Sequence, residues 1–174
     1  MSYTVSIPPV ELTDMPAITG IYQHYVRTHT STFEIDPPDL VEMTARLQRI
    51  RDAGSPYLVA EQAGQVLGYG YAGPYRPRAA YRHTVENSVY LHPDYVGRGV
   101  GGRLLGDLIE RCTQAGYREM IAVIGDSQNH ASIGLHVKAG FAHVGTLLNV
   151  GFKFERWLDT VLMQKSLHVA MSNA

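Results

Sequence analysis

Four glycines stand within six residues, at positions 97, 99, 101 and 102, between an apolar segment and a leucine-containing one. Glycine lets the backbone turn back sharply and present successive N–H groups to a ligand. The helix expected from Gly101 directs the positive end of its dipole at the same place. The pattern therefore predicts a loop that holds a pyrophosphate. A plain turn between a strand and a helix is the alternative, but it needs only one or two glycines.

The same glycines match two other phosphate-binding patterns less well. Gly97-x-Gly99-x-x-Gly102 satisfies the dinucleotide fingerprint, with Asp126 as a candidate ribose partner. In that fold the first glycine follows the strand almost directly, whereas residues 92–96 intervene here. About 70 residues remain after the loop, too few for the remaining strand and helix units. A P-loop is excluded because no Gly-Lys-Ser/Thr closes the run.

Hydrophobic periodicity alternates along the chain between the strand period and the helix period. Helices are predicted from Asp14, from the turn at Pro37-Pro38, and over 101–115 and 131–139. These elements predict one α/β domain over residues 1–166, with a polar tail at 167–174 that frays. The mixed sheet is expected to have about seven strands flanked by helices, at residues 4–7, 56–61, 66–71, 84–91, 119–124, 142–150 and 157–164.

Composition limits the classes of protein and of partner. With 174 residues, 45% of them hydrophobic and 18% charged, the chain can bury the core of one domain. A net charge of −1 gives no general attraction to nucleic acid or to anionic membranes, so neither is expected as a partner. The chain shows no leader pattern and no long apolar run, which predicts a cytoplasmic protein. Cys112 is expected in the core, and no His or Cys spacing predicts a metal site.

Residues 129–141 and residues 96–101 form two motifs that together resemble the GNAT superfamily of N-acyltransferases. Residues 129–141 give a polar start, a short helix and a Gly-Phe stop. Residues 96–101 stand where that family has Gln/Arg-x-x-Gly-x-Gly/Ala, the loop that binds the pyrophosphate of acyl-CoA. Val96 departs from the first position, which affects a side-chain contact in a loop that binds mainly through backbone N–H groups. The resemblance implies a V-shaped sheet that splays beside Leu91 and Ile124 and admits the pantetheine arm.

Within the superfamily the chain is similar to the phosphinothricin N-acetyltransferase group, including its members that acetylate methionine sulfoximine. The similarity covers nearly the whole chain and includes the run 86–93, Gly151-Phe152-Lys153 and Trp157-x-Asp159. It implies acetyl-CoA as the cosubstrate. The residues implied to bind it are Val89, Tyr90, Leu91, Val96, Gly97, Arg98, Gly99, Val100, Gly101, Asn129 and Ser132.

Three of the residues implied to bind acetyl-CoA have more specific expected roles. Leu91 should offer its backbone N–H to the thioester carbonyl, and Asn129 should offer its amide to the pantetheine. Ser132 is expected either to cap a helix or to form a hydrogen bond with the cofactor.

Two catalytic residues follow from the resemblance. Glu86 is the candidate general base, acting on the acceptor amine directly or through water, and the alternative is a structural carboxylate paired with Arg82. His136 occupies the place where many GNAT enzymes have a Tyr that faces the departing sulfur. An imidazole can donate a proton near neutral pH, but a lone His before Gly-Phe is as often a packed core residue.

Substrate choice is expected to depend on two segments. Arg76, Arg78 and Arg82, beside Tyr81, predict a bidentate clamp for the carboxylate of an amino acid, with a solvated basic loop as the alternative. Residues 30–34 match the family's first substrate-side loop. Phe33 is expected to form a wall of the pocket and Glu34 to select against acidic side chains, unless both lie at the loop surface.

These observations predict an acetyl-CoA-dependent N-acetyltransferase for small amino-acid analogues of the phosphinothricin, methionine sulfoximine or methionine sulfone type. Three alternatives stay open: a polyamine or a peptide N-terminus as acceptor, a non-catalytic acyl-CoA sensor, and a dinucleotide-binding oxidoreductase. A homodimer is expected, because the resembling enzymes pair through their C-terminal strands. Phe152, Phe154 and Trp157 place apolar side chains near that end.

Overall fold

A six-stranded mixed sheet forms the centre of the structure, a computed structural model that describes residues 4–168. The strands are β1 (Tyr57–Gln62), β2 (Gln65–Pro74), β3 (Thr84–Leu91), β4 (Glu119–Gly125), β5 (Ala142–Lys153) and β6 (Arg156–Ser166). Their order across the sheet is β1-β2-β3-β4-β6-β5. All neighbours are antiparallel except β3 and β4, which are parallel.

The expected seventh strand, at residues 4–7, does not form. This segment runs beside β1 but makes only two isolated bridges, from Ser6 to Glu61 and from Pro9 to Leu58. Pro8 and Pro9 carry no backbone N–H, so a continuous ladder of hydrogen bonds cannot be built there. The number of strands predicted from the sequence was therefore too high by one.

Four helices pack on the sheet, and each was predicted within a few residues. They are α1 (Met15–Thr28), α2 (Leu40–Asp52), α3 (Val100–Gln114) and α4 (His130–Lys138). Asp39 caps α2 by accepting a hydrogen bond from the N–H of Glu42 at 2.8 Å, a capping contact typical of aspartate. None of the helices in residues 4–168 is long and apolar enough to cross a membrane.

The two faces of the sheet bury different side chains. On the face covered by α1 and α2, tyrosines from β1, β2 and β3 stack on one another, and Tyr69 and Tyr90 lie with ring centroids 5.5 Å apart. On the other face, α3 buries Leu104, Leu105 and Cys112 against the strands. Burial raises the pKa of the Cys112 thiol to about 12, so this residue is an uncharged core side chain as predicted.

The sheet opens in its middle. Hydrogen-bonded pairing of β3 with β4 runs from Thr84 and Glu119 to Asn87 and Ala122, and stops there. Beyond this point β3 stays paired with β2 as far as Leu91, and β4 stays paired with β6 as far as Gly125. The two halves therefore separate like the arms of a V, which confirms the predicted splay.

The described chain continues briefly after β6. Leu167 is buried, and its N–H donates to the carbonyl of Arg118 at 2.8 Å. The rest of the tail predicted to fray, from residue 169 onward, lies outside the described residues.

Candidate active site

A cavity of about 880 Å³ fills the opening of the V. The ends of β3 and β4 form its sides, and the glycine loop and the start of α4 close one end. Residues 29–31, which follow α1, form part of its lining at another side. This cavity therefore lies where two parallel strands stop pairing.

The glycine loop presents backbone to this cavity. Gly97 and Gly99 have φ values of 78° and 81°, in the left-handed region that favours glycine. Gly99 is the N-cap of α3, and the first N–H groups of a helix have no acceptor within it. Val96, Gly97, Gly99 and Gly101 line the cavity. This geometry suits a pyrophosphate, as predicted from the sequence.

Two residues of the loop face elsewhere. Val100 is buried against the core beneath the loop. Arg98 is exposed, and its guanidinium carbon lies 5.1 Å from the centroid of the Tyr95 ring. Neither side chain lines the cavity, so any contribution of Val100 comes from its backbone.

Unpaired backbone groups of β3 face the opening. His92 donates its N–H to the carbonyl of Leu67 on β2 at 2.8 Å. Because successive residues of an antiparallel strand alternate in direction, the N–H and C=O of Leu91 point away from β2. The Leu91 carbonyl accepts a hydrogen bond from the Tyr25 hydroxyl at 2.8 Å. The Leu91 N–H is thus directed at the gap, where it could stabilise an oxyanion.

Glu86 lies on β3, half-buried. Burial raises the pKa of its carboxyl, and the positive charge of Arg76 partly opposes this. No ion pair with Arg82 forms; the Arg82 guanidinium instead donates to the carbonyl of Ala79 at 3.3 Å. A carboxylate with a raised pKa is a stronger base. The general base role of Glu86 stays a prediction.

His136 is buried, with 4% of its surface exposed, and connects α4 to β3. Its Nδ1 lies 2.8 Å from the carbonyl oxygen of Ser132 and therefore donates. Its Nε2 lies 3.0 Å from Oδ1 of Asn87, whose amide nitrogen donates to the carbonyl of Ile121. Burial lowers the pKa of His136. His136 lines the cavity, and both of its ring nitrogens face acceptor oxygens. A neutral imidazole carries one N–H and can donate to only one of them, whereas the protonated ring can donate to both. Its acid role stays a prediction.

The start of α4 resolves the two roles considered for Ser132. Asn129 is the cap, because its Oδ1 accepts a hydrogen bond from the Ser132 N–H at 3.2 Å. The Ser132 N–H is thus the capped group, and Ser132 is one of the residues that line the cavity, so its contact with the cofactor stays a prediction. The Asn129 side chain also lines the cavity, where its amide nitrogen is available to a ligand.

The predicted substrate residues do not converge into one clamp. Arg76 is the arginine whose charge reaches Glu86. Arg78, Tyr81 and Arg82 are exposed and do not line the cavity, and the Tyr81 ring packs edge-on against Tyr75 at 5.7 Å. Within a single copy of the chain, segment 76–82 therefore resembles the solvated basic loop more than the carboxylate clamp.

Phe33 and Glu34 are also held by the protein itself. The Phe33 ring packs on Gly125 and Gly151, and a Cβ at either position would collide with this ring or with the backbone of Thr30. Glu34 forms an ion pair with Arg46 at 2.6 Å, which leaves it half-exposed rather than free in the cavity. Both residues anchor the chain that follows α1.

Comparison with known proteins agrees with this geometry. The sequence profile described as the acetyltransferase (GNAT) family matches residues 18–141. The chain is 58% identical over 155 residues to a phosphinothricin N-acetyltransferase of Alcaligenes faecalis, covering 89% of this chain and 79% of the relative. The chain belongs to the GNAT family of acetyltransferases. A dinucleotide-binding role for the glycine loop is thereby excluded.

Two further relatives of this GNAT chain are similar over nearly its whole length. An L-methionine sulfoximine/L-methionine sulfone acetyltransferase of Pseudomonas paraeruginosa is 42% identical over 165 residues, covering 94% of this chain and 95% of the relative. The crystal structure of a phosphinothricin acetyltransferase from Sinorhizobium meliloti in complex with AcCoA superposes with a TM-score of 0.91 at 43% identity. The match covers 94% of this chain and 88% of that one.

Several residues of the GNAT cleft were missed by sequence reasoning. Tyr25, His29 and Ser31 line the cavity, and Asn87 holds His136. Tyr25 had a helical spacing that indicated only a core position. His29 and Ser31 lie in an irregular segment, where no periodicity indicates which way a side chain faces.

Replacement of Gly99 by Asp is expected to weaken acetyl-CoA binding at least tenfold, about 1.4 kcal/mol. The change puts a Cβ at φ 81° and a negative charge beside the backbone N–H groups of α3. Calorimetry measures the affinity. Gly64→Asp is the matched control, because Gly64 also has a left-handed φ of 78° but lies in the β1–β2 turn. Equal affinities in the two variants would contradict the assignment of the loop.

Proposed function

We propose that this enzyme transfers the acetyl group of acetyl-CoA to the free amine of a small amino-acid analogue of the phosphinothricin, methionine sulfoximine or methionine sulfone type. The observation that carries the proposal is the half-buried Glu86, with its raised pKa, on the strand whose far end directs the Leu91 N–H into the cleft. The names of the two relatives point to the acceptor class.

The chemistry needs few groups. Acetyl-CoA is the acyl donor, and its thioester is already activated. The acceptor amine attacks the carbonyl carbon, the C–S bond breaks, the nitrogen loses a proton, and the thiolate gains one. Glu86 takes the amine proton, directly or through water, and the Leu91 N–H stabilises the charge that develops on the carbonyl oxygen. The glycine loop holds the pyrophosphate and thereby orients the thioester.

A small acceptor fits the surroundings of Glu86 better than a polycation does. Arg76 brings a positive charge close to Glu86, and its guanidinium lies over the Tyr75 ring at 5.1 Å. This charge attracts the carboxylate of an amino acid and repels a polyamine. A peptide N-terminus and a non-catalytic acyl-CoA sensor are the remaining alternatives. The sensor would not need a carboxylate with a raised pKa.

An acceptor panel with acetyl-CoA tests the proposal, with release of free thiol as the readout. Phosphinothricin, methionine sulfoximine and methionine sulfone are expected to be acetylated in preference to the protein-forming amino acids, spermidine and short peptides. The reason is that their tetrahedral ends carry strongly polar oxygens suited to arginine. Turnover restricted to peptide or polyamine acceptors would refute the substrate class. Acetyl-CoA binding without turnover on any amine would favour the sensor.

Replacement of Glu86 by Gln is expected to lower turnover at pH 7 by about 10² to 10⁴, the usual range for general base catalysis, with unchanged acetyl-CoA affinity. Gln keeps the shape but cannot accept a proton. The deficit should shrink as pH rises, because more acceptor amine is then neutral. In the wild type, the raised pKa of Glu86 should place the acidic limb of the rate profile above that of an ordinary glutamate.

His136→Ala is the comparison variant. This variant is expected to lower the turnover rate less than Glu86→Gln does, because a thiolate is a tolerable leaving group without an acid. Its pH–rate profile should keep the acidic limb of the wild type. Near wild-type rates for Glu86→Gln at pH 7 would remove the general base role.

We also infer a homodimer that forms through β5. This strand is at the edge of the sheet, and its apolar side chains are unusually exposed; together with the start of β6 they include Val144, Leu147, Leu148, Val150, Phe152 and Trp157. A contiguous apolar patch of this kind indicates a protein interface. The buried thiol of Cys112 is compatible with the cytoplasmic location predicted from the sequence.

Light scattering at micromolar concentration is expected to give twice the chain mass of 19.2 kDa. Trp157→Arg, which adds a charge to the exposed edge, should shift the protein toward the monomer. Val41→Arg is the matched control, because Val41 is 76% exposed but lies on α2. A monomer mass for the wild type would remove the dimer.

A further inference from the structure

A lysine on β5 is buried without a carboxylate partner. Lys153 is 4% exposed, and its Nζ donates to the carbonyl oxygens of His29 at 2.9 Å and Thr32 at 2.7 Å. None of the ion pairs within residues 4–168 includes it. Burial lowers its pKa, and the carboxylate of Glu34 opposes this shift. A buried ammonium group costs folding free energy unless it is hydrogen-bonded, so these two carbonyls account for its presence.

Both carbonyls belong to segment 29–34, the chain between the end of α1 and Glu34. His29 is the C-cap of α1, where helix carbonyls lack partners within the helix. Thr32 lies three residues further on, and its hydroxyl is hydrogen-bonded to that of Tyr22 at 2.9 Å. Lys153 therefore joins the last carbonyl of a helix to the middle of the segment that follows it.

Two further contacts hold segment 29–34 against the same part of the sheet. The Phe33 ring packs on the bare backbone of Gly125 and Gly151. The Thr30 hydroxyl donates to Asp126 at 2.8 Å, and Arg156 donates to the same carboxylate oxygen at 2.9 Å. The segment is thus fixed by β4, β5 and β6, all of which lie on one arm of the V.

The opposite side of segment 29–34 faces the reaction. His29, Thr30 and Ser31 line the cavity. Burial raises the pKa of Tyr71 on β2, and the carboxylates of Glu86 and, to a smaller extent, Glu34 raise it further. Glu34, at the end of the segment, and Glu86 on β3 therefore both affect a tyrosine of β2. A shift of the segment changes the cavity wall formed by residues 29–31.

We propose that Lys153 is a positioning residue for the acceptor: through the His29 and Thr32 carbonyls it holds segment 29–34, whose residues 29–31 line the cavity, in the place that acceptor binding requires. The proposal rests on acetyl transfer to an amine, but not on which amine is used. Lys153 is not one of the residues that line the cavity. Its effect should therefore fall on acceptor binding and leave the donor unaffected.

Lys153→Met removes the donor hydrogens while keeping an unbranched side chain of similar length. It is expected to raise the KM for the best acceptor at least tenfold, with unchanged acetyl-CoA affinity by calorimetry. Glu155→Gln is the matched control, because it changes one charge in the same turn on an exposed residue that holds nothing in segment 29–34. A loss of stability alone would lower the fraction of folded enzyme, but it would not raise the KM for the acceptor while leaving the affinity for acetyl-CoA unchanged.

Gly151→Ala gives an independent perturbation of the same segment, because its new methyl group displaces the Phe33 ring. It is expected to raise acceptor KM in the same way, and the double variant should fall short of the sum of the two effects. If Lys153→Met does not fold, Gly151→Ala decides. Acceptor KM values equal to those of Glu155→Gln, or a parallel loss of acetyl-CoA affinity, would overturn the proposal.

Hydrogen exchange separates this proposal from the proposed function. In Lys153→Met with acetyl-CoA bound, the amides of residues 29–34 should exchange at least tenfold faster than in Glu155→Gln, whether or not any acceptor is turned over. Suppose that the wild type acetylates no amine, but the amides of residues 29–34 still exchange faster in Lys153→Met. This result would reject the transfer reaction and support the role of Lys153 in holding the segment. Unchanged exchange would reject the contact itself.

Discussion

The structure depends on the point at which β3 and β4 stop exchanging hydrogen bonds. Buried backbone N–H and C=O groups need partners, and a central pair of parallel strands normally supplies them along its whole length. Here pairing ends at Asn87 and Ala122, although each strand remains bonded to its outer neighbour. The interior of the sheet thus acquires free polar backbone without losing its support. The glycine loop and the Leu91 N–H lie along this separation, and Glu86 lies on β3 just before it begins.

Asn87 closes the apex of that opening and connects three elements. Its amide donates to β4 at Ile121, while its oxygen lies 3.0 Å from the buried imidazole of His136 on α4. The angle between the arms is therefore held by side-chain hydrogen bonds where the ladder no longer holds it. A buried histidine whose two ring nitrogens both lie against protein oxygens contributes to the shape of the cleft in addition to any role in proton transfer.

Much of the fold and of the candidate site was predictable from patterns local in the sequence. The features that were not predicted depend on contacts between residues far apart in the chain. The glycine loop, α3 and the β1–β2 hairpin follow from residues close in sequence, so periodicity and glycine spacing identified them. Residues 4–7 failed as a strand because two prolines outweighed the alternation of apolar side chains. The hydrogen bonds of Lys153, by contrast, connect it to residues that precede it by 121 and 124 positions in the sequence. No local pattern shows that a lysine in an edge strand is buried.

Donor and acceptor are recognised by different kinds of group. The glycine loop and the Leu91 amide offer main-chain groups. These groups remain when side chains change, provided that the glycines with left-handed backbone are kept. The groups predicted to recognise the acceptor are side chains, and those at positions 76–82 are exposed and make few contacts that folding requires. Mutation can therefore explore new acceptors at little cost to the donor site. Descendants of such a gene can diverge in what they acetylate without passing through a form that has lost acetyl-CoA.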